Sequence, residues 1–291
     1  MADSQNQTKG AYTMANHLPL EKKAMVLTLL TEGQSIRATS RITNVSQPTI
    51  FKLLVDAGAR AQEIQDTQMV NLQSRYIQVD EIWSWVKKKQ KQLQPFDSEE
   101  YGDQYVFVAI DSETKVVPCF LVGKRSAHYA TTFMRDLQYR IKNRFQLSTD
   151  AFNGYYSAVD DVFGTDIDYG MVHKEYREDS KGERRYSPAD IVRVIIKPIT
   201  GQPKRKIIST SHIERQNLTM RMQMRRFTRL TNAFSKKLEN HKAAIAVHFY
   251  FYNFMRIHQS LRVTPAMEAR ITNRIWNWTD LLTWQAQKIA A

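Results

Sequence analysis

The spacing of apolar residues changes at Tyr76, and that change narrows the folds open to this chain. Before it, apolar side chains recur at helical intervals: Leu20, Ala24, Leu27 and Leu30 in LPLEKKAMVLTLLTEG, then Ile50, Leu53 and Leu54 in SQPTIFKLLVDAG. From Tyr76 onward, YIQVDEIWSWV alternates as a strand with two unlike faces does. YVFVAI and VVPCFLVG read as a hairpin around Asp111-Ser112-Glu113-Thr114, and AHYATTFMRDLQYRIKNRF as an amphipathic helix. FQLSTD is a strand ending at Asp150, YYSAVDDVF a short helix and DYGMVHKEY another strand. Strands followed by alternating helices and strands predict an α/β fold, a mixed sheet with helices on its faces.

The N-terminal quarter predicts a small all-α unit. Gly33 closes the first helix, Ser35 caps SIRATSRIT, and after the turn NVS, Ser46 caps a third helix with Pro48 in its first turn and Gly58 as its stop. Three short helices with a tight turn before the last form a helix-turn-helix, whose final helix enters the major groove. Gln47, Thr49 and Lys52 face outward there as candidate DNA contacts; a helical hairpin packed on the rest of the protein is the plainer reading. The expected organisation is a polar tail over 1–16, the helix-turn-helix over 17–60 and a polar, helical linker over 61–74. The α/β unit follows over 75–262, with an insertion at about 177–209, and a helical tail over 263–291.

Charge points to the partner. The net charge is +13, and from Arg177 to Arg229 there are 14 Lys/Arg against 5 Asp/Glu, a local excess of +9. Such a field attracts a polyanion. The single cysteine, Cys119, excludes a disulfide framework and a cysteine zinc finger. With no signal-peptide pattern and no membrane-length apolar run, the expected location is the cytoplasm, at the nucleoid.

Against this basic background stand a few conspicuous acids. Asp80 interrupts an apolar strand, where acids are depleted; a solvent-facing edge charge is its plain alternative, and spacing does not choose between Asp80 and Glu81. Asp150 ends a strand, where α/β sheets bind ligands, although a turn-forming Asp looks the same. Asp111 has that signature too, but opens the hairpin turn and reads as structural. Glu214 stands at the start of a long, very basic helix, where Ser211-x-x-Glu214 also matches a capping box. Asn217, Arg221 and Arg225 follow Glu214 at helical spacing, and with Arg215 and Arg226 they are candidate phosphate contacts; Met220, Met224 and Phe227 form the core-facing stripe. His258 reads as a capping or phosphate-contacting group, and Trp83, Trp85, Trp276, Trp278 and Trp284 as core or interface aromatics. Carboxylates from separate elements suit hard cations with oxygen ligands, and a pair of ions ~4 Å apart suits in-line phosphoryl displacement.

VDEIW, STDAFNGY and HIERQNLTMRMQMRRFTRLTNAFSKK resemble bacterial insertion-sequence transposases of the DDE type, specifically the Insertion Sequence One family. The resemblance runs from about Tyr76 to TPAMEA. It implies a ribonuclease H-like fold and a catalytic metal site of Asp80, Asp150 and Glu214, favouring Asp80 over Glu81. Two Mg²⁺ ions, with Mn²⁺ able to substitute, would serve cleavage and strand transfer on double-stranded DNA, element ends and target alike. Synapsis of two ends implies a homo-oligomer, at least a dimer. Two features depart from the family: the zinc finger that often precedes its helix-turn-helix is missing, and Ala151 stands where glycine frequently follows the second Asp. A DNA-binding regulator that no longer cleaves, or a ribonuclease H-like nuclease, would share much of this pattern.

Overall fold

The computed structural model describes residues 18–176, 191–228 and 231–285. The expected tail over 1–16 and the start of the expected insertion, 177–190, lie outside the described residues. Helices α1 (Leu20–Thr31), α2 (Ile36–Thr43) and α3 (Gln47–Gln68) open the chain. Ser35 and Ser46 cap α2 and α3 as expected, their hydroxyls accepting from the amides of Ala38 and Thr49 at 3.1 and 3.4 Å. Asn44 takes the left-handed conformation in the turn between them, φ 54°.

Gly58 does not end the third helix. α3 runs on for 22 residues, and Gly58 lies against the later helix α7 (Leu238–Tyr250). A Cβ there would fall 2.5 Å from the Cα of Ala243, so glycine permits the two helices to approach. Beyond Gly58, Gln65 donates to the carbonyls of Val117 and Pro118 at 3.0 and 2.7 Å. Residues 61–68 of the expected linker are helical as anticipated, and they continue α3 and dock through Gln65.

The sheet comprises β1 (Tyr76–Val86), β2 (Gly102–Asp111), β3 (Phe120–Gly123), β4 (Gln146–Asp150), β5 (Asp168–Tyr176) and β6 (Ile191–Thr200), in the order β3-β2-β1-β4-β5-β6. β1, β2 and β3 pair antiparallel, β1, β4 and β5 parallel, and β6 antiparallel to β5. This is the α/β, ribonuclease H-like architecture expected. Helices α4 (Ala127–Arg140) and α5 (Asn153–Phe163) cover one face, where Phe107 meets Phe133 and Tyr155. Helix α6 (Ser211–Gln223) and α7 cover the other: Gln78 of β1 accepts from the His212 amide at 2.8 Å, and Ser84 meets His241 at 3.0 Å. Adjacent residues of β1 thus serve opposite layers.

Two expectations need correcting here. IVRVIIKPIT, assigned to an insertion, is the sixth strand; its mostly exposed residues lack the apolar alternation that marks the inner strands. The basic helix is short, since α6 stops at Gln223 and Arg225–Phe227 form a separate turn. Met220, Met224 and Phe227 are buried as expected. The C-terminal part folds back through α8 (Pro265–Glu268) and α9 (Trp278–Leu282), and Trp278 donates to Thr28 of α1 at 2.7 Å. No described helix is long and apolar enough to cross a membrane.

Candidate metal centre

The end of β4 creates the site. β4 pairs with β1 only through Thr149, opposite Val79, so β1 continues past it with no strand on that side until Val86 bridges Ser235. Asp150, the last residue of β4, reaches the gap, and its Oδ1 accepts from the amide of Phe152 at 3.1 Å. The turn-forming reading of Asp150 and its membership of the cluster are both realised. Asp80 enters the gap from the α6 side and Glu81 from the α5 side. Ligand oxygens of Asp80, Glu81 and Asp150 lie within 4.8 Å of one another.

Electrostatically the cluster is under-compensated. Burial, then repulsion from Asp150 and Glu81, pushes the Asp80 carboxyl up to about 8, with Glu214 adding to the push. Burial and Asp150 raise Glu81 as well, against the hydrogen bonds that it receives from Arg125 and from Tyr155 Oη at 2.8 Å. Burial also raises Asp150, where the Phe152 amide and Arg125 oppose it. Arg125 Nη2 stands 3.9 Å from Asp150.

Glu214 is held at the margin. Its carboxylate pairs with Lys174 of β5 and accepts from Thr210 Oγ1, the residue before α6. Ser211 lies inside the helix, so the anticipated capping box does not form. Glu214 lies close enough to repel both Asp80 and Asp150, but outside the tight carboxylate group.

Asn217, anticipated as a phosphate contact, instead belongs to this centre. It is buried, and its Nδ2 donates to Asp80 Oδ2 at 2.9 Å while its Oδ1 has no hydrogen-bond partner. Arg226 also turns inward: it is half-buried, donates to Ser235 Oγ at 2.9 Å and is lowered to about 10 by burial. Arg215 and Arg225 are exposed, and Arg221 is half-buried. Gln47, Thr49 and Lys52 are exposed on the first turns of α3. Asp111 accepts from the amides of Glu113 and Thr114 at 2.7 and 3.0 Å, the structural turn expected. Ala151 is not among the described residues with positive φ, so its position does not require glycine.

Sequence reasoning missed Arg125, Tyr155 and Lys174 and left Glu81 aside. An Asp-Glu pair in an apolar strand was the available signal for Glu81. Nothing local marks the other three, which reach the site from separate elements.

No family model and no curated protein sequence matches the chain. Solved structures that it resembles include a Mos1 strand transfer complex, with 15% identity over 54% of this chain and 59% of that chain, at a TM-score of 0.23. A piggyBac transposase synaptic complex with hairpin DNA matches 98% of this chain and 77% of its own, with 11% identity and a TM-score of 0.39. A Mos1 mariner paired end complex with Mn matches at 12% identity over 55% of this chain and 60% of that one, with a TM-score of 0.20. The chain thus spans about three fifths of the Mos1 chains. Likeness at these TM-scores is too slight to transfer an activity.

Proposed function

We propose that this chain is a metal-dependent polynucleotidyl transferase, a DDE-type DNA transposase acting at the ends of an insertion sequence. The observation that carries the proposal is the gap past β4, where Asp80, Glu81 and Asp150 converge with too little positive charge. The donor set fits a hard divalent cation: carboxylate oxygens, plus the orphaned amide oxygen of buried Asn217. Mg²⁺, as two ions with Mn²⁺ able to replace them, would supply activation of the attacking oxygen and neutralisation of the leaving one.

Asp80 and Asp150 are the residues that would hold the ions, joined by Glu214 once it leaves Lys174. Glu81 is engaged by Arg125 and Tyr155, so its part is to keep that wall of the site in place. Asn217 fixes the orientation of Asp80 through its amide donor. Lys174, relieved of Glu214, faces the phosphate as a countercharge. Arg215, Arg221 and Arg225 grip the backbone, and Gln47, Thr49 and Lys52 read the major groove from the start of α3. Water attack first frees a 3′-hydroxyl, and that hydroxyl then attacks target DNA; the residues contribute position and charge. Two ends require at least a dimer, working at the nucleoid.

The test uses DNA from both sides of the reading frame, where this reading places inverted repeats. Asp80→Ala, Asp150→Ala and Glu214→Ala should each abolish Mg²⁺-dependent nicking and joining while leaving duplex binding in place. Cleavage retained by all three variants would end the proposal.

A further inference from the structure

Trp83 and Trp85 do not serve the hydrophobic core. Among the described residues, they and Phe234 neither belong to it nor pack against it, whereas Trp276, Trp278 and Trp284 do. Both follow Glu81 at two-residue intervals on β1, so they share its face and lead away from the acid cluster. Trp83 is 38% exposed, and its ring lies 5.0 Å from that of Trp85, which stacks on Phe234 at 5.5 Å. From Glu81 to Trp85 the strand covers about 13 Å.

Cations stand at both ends of this track. Lys89 Nζ sits 5.3 Å over the Trp85 ring. Arg125, the partner of Glu81, lies 4.1 Å over Phe152 and 5.9 Å over Tyr105, the residue opposite Trp83 in the β1–β2 register. Lys87, Lys236 and Lys237 are exposed nearby in sequence. Asp97 of the adjoining loop is engaged by Lys88 and Asp103, on β2, by the Gln90 amide, while Glu99 and Glu100 of that loop are exposed.

An exposed ring beside a half-buried one, with cations next to both, matches the stacking platforms that hold unpaired bases and their phosphates. A second copy of the chain is the poorer occupant, because the cores of protein interfaces are depleted in lysine. The geometry points to Trp83 and Trp85, with Lys89, as a stacking site for unpaired bases of the DNA strand whose phosphodiester occupies the acid cluster. This inference rests on the transposase reading and adds to it a place for the strand that opens beside the cut.

The experiment measures fluorescence anisotropy of a labelled oligothymidylate single strand, and of a blunt duplex of equal length, with the full chain in EDTA. Trp83→Ala and Trp85→Ala should each weaken single-strand binding about tenfold, with duplex binding changed less than about twofold. Trp85→Phe should retain most of the affinity. Lys89→Glu, a loop change remote from the core, should weaken it as well and guards against misfolding of the tryptophan variants. Unchanged single-strand affinity in the Ala and Glu variants overturns the inference. So does a change of oligomeric state, read by sedimentation, with single-strand affinity intact, for that assigns the surface to a second copy. Because EDTA removes chemistry, loss of affinity in a protein that never nicks end DNA would sink the transposase reading and spare the stacking site. Nicking with unaltered single-strand affinity would do the reverse.

Discussion

Arg140 and Asp80 are both ionisable and both largely enclosed, yet the fold treats them in opposite ways. Arg140, 4% exposed, donates to Asp136 at 2.8 Å, Asp66 at 2.7 Å and the carbonyls of Gln65 and Met69 at 2.9 and 3.3 Å. It is complemented on every side and ties α3 to α4. Asp80 receives one side-chain donor, from Asn217, and faces Glu81, Asp150 and Glu214. A buried charge that holds structure is neutralised by its surroundings. Carboxyls left in excess hold a proton or take a cation in its place, and perturbed carboxyls in a cleft point to function on that ground.

The contrast can be broken at either end. The largest effect belongs to the acids: Asp80→Ala or Asp150→Ala should lower the rate of metal-dependent strand cleavage by about a thousandfold or more, measured in single-turnover assays. Wild-type rates in both would remove the acid cluster from the chemistry. At the other cluster, Arg140→Met should lower the unfolding free energy by about 3 kcal/mol, because two carbonyls and two carboxylates lose their common donor. A urea denaturation midpoint that does not move would show the network to be ornamental.

A third buried group separates structural burial from functional burial by pH. His241 lies between Ser84 and Ser235, and burial, with repulsion from Arg226, lowers it to about 3. Its folded value stands below its unfolded one of about 6.5, so stability is full above that pH and declines as pH falls toward 3. By pH 5 the loss should be about 2 kcal/mol, one and a half pH units at 1.36 kcal/mol each, and His241→Gln should flatten that limb. The smallest effect carries the opposite sign. Asp80 is raised above its unfolded value, so metal-free protein loses stability as pH rises from about 4 toward 8, and Asp80→Asn should gain about 1 kcal/mol near neutrality. If calorimetry finds Asp80→Asn destabilising, Asp80 is a structural carboxylate like Asp136.

Much of the local structure was legible because short-range signals carry it. The caps at Ser35 and Ser46, the Asp111 turn, the alternation of β1 and the strand end at Asp150 each depend on a few neighbouring residues. Gly58 shows where that logic fails: a glycine that looks like a helix stop proves to be a contact point for Ala243, 185 positions onward. β6 was missed because an exposed edge strand carries no strong alternation, and only its pairing with β5 identifies it. Of the candidate site, Asp80 and Asp150 could be read from their strand contexts. Glu81 could not be chosen or excluded, since alternation sends it to the face opposite Asp80.

By itself the chain determined most of its helices and inner strands, where several of them start, and that its acids would sit in a strongly basic molecule. Periodicity and capping are properties of neighbours, so no tertiary knowledge is needed to read them. Only the tertiary structure decided that β4 stops one residue beyond Val79's partner, letting both faces of β1 contribute carboxylates to one gap. It likewise turned Asn217 and Arg226 inward and gave Glu214 to Lys174. Those outcomes depend on where strands end relative to one another and on which helix face meets the sheet, and no local pattern encodes either.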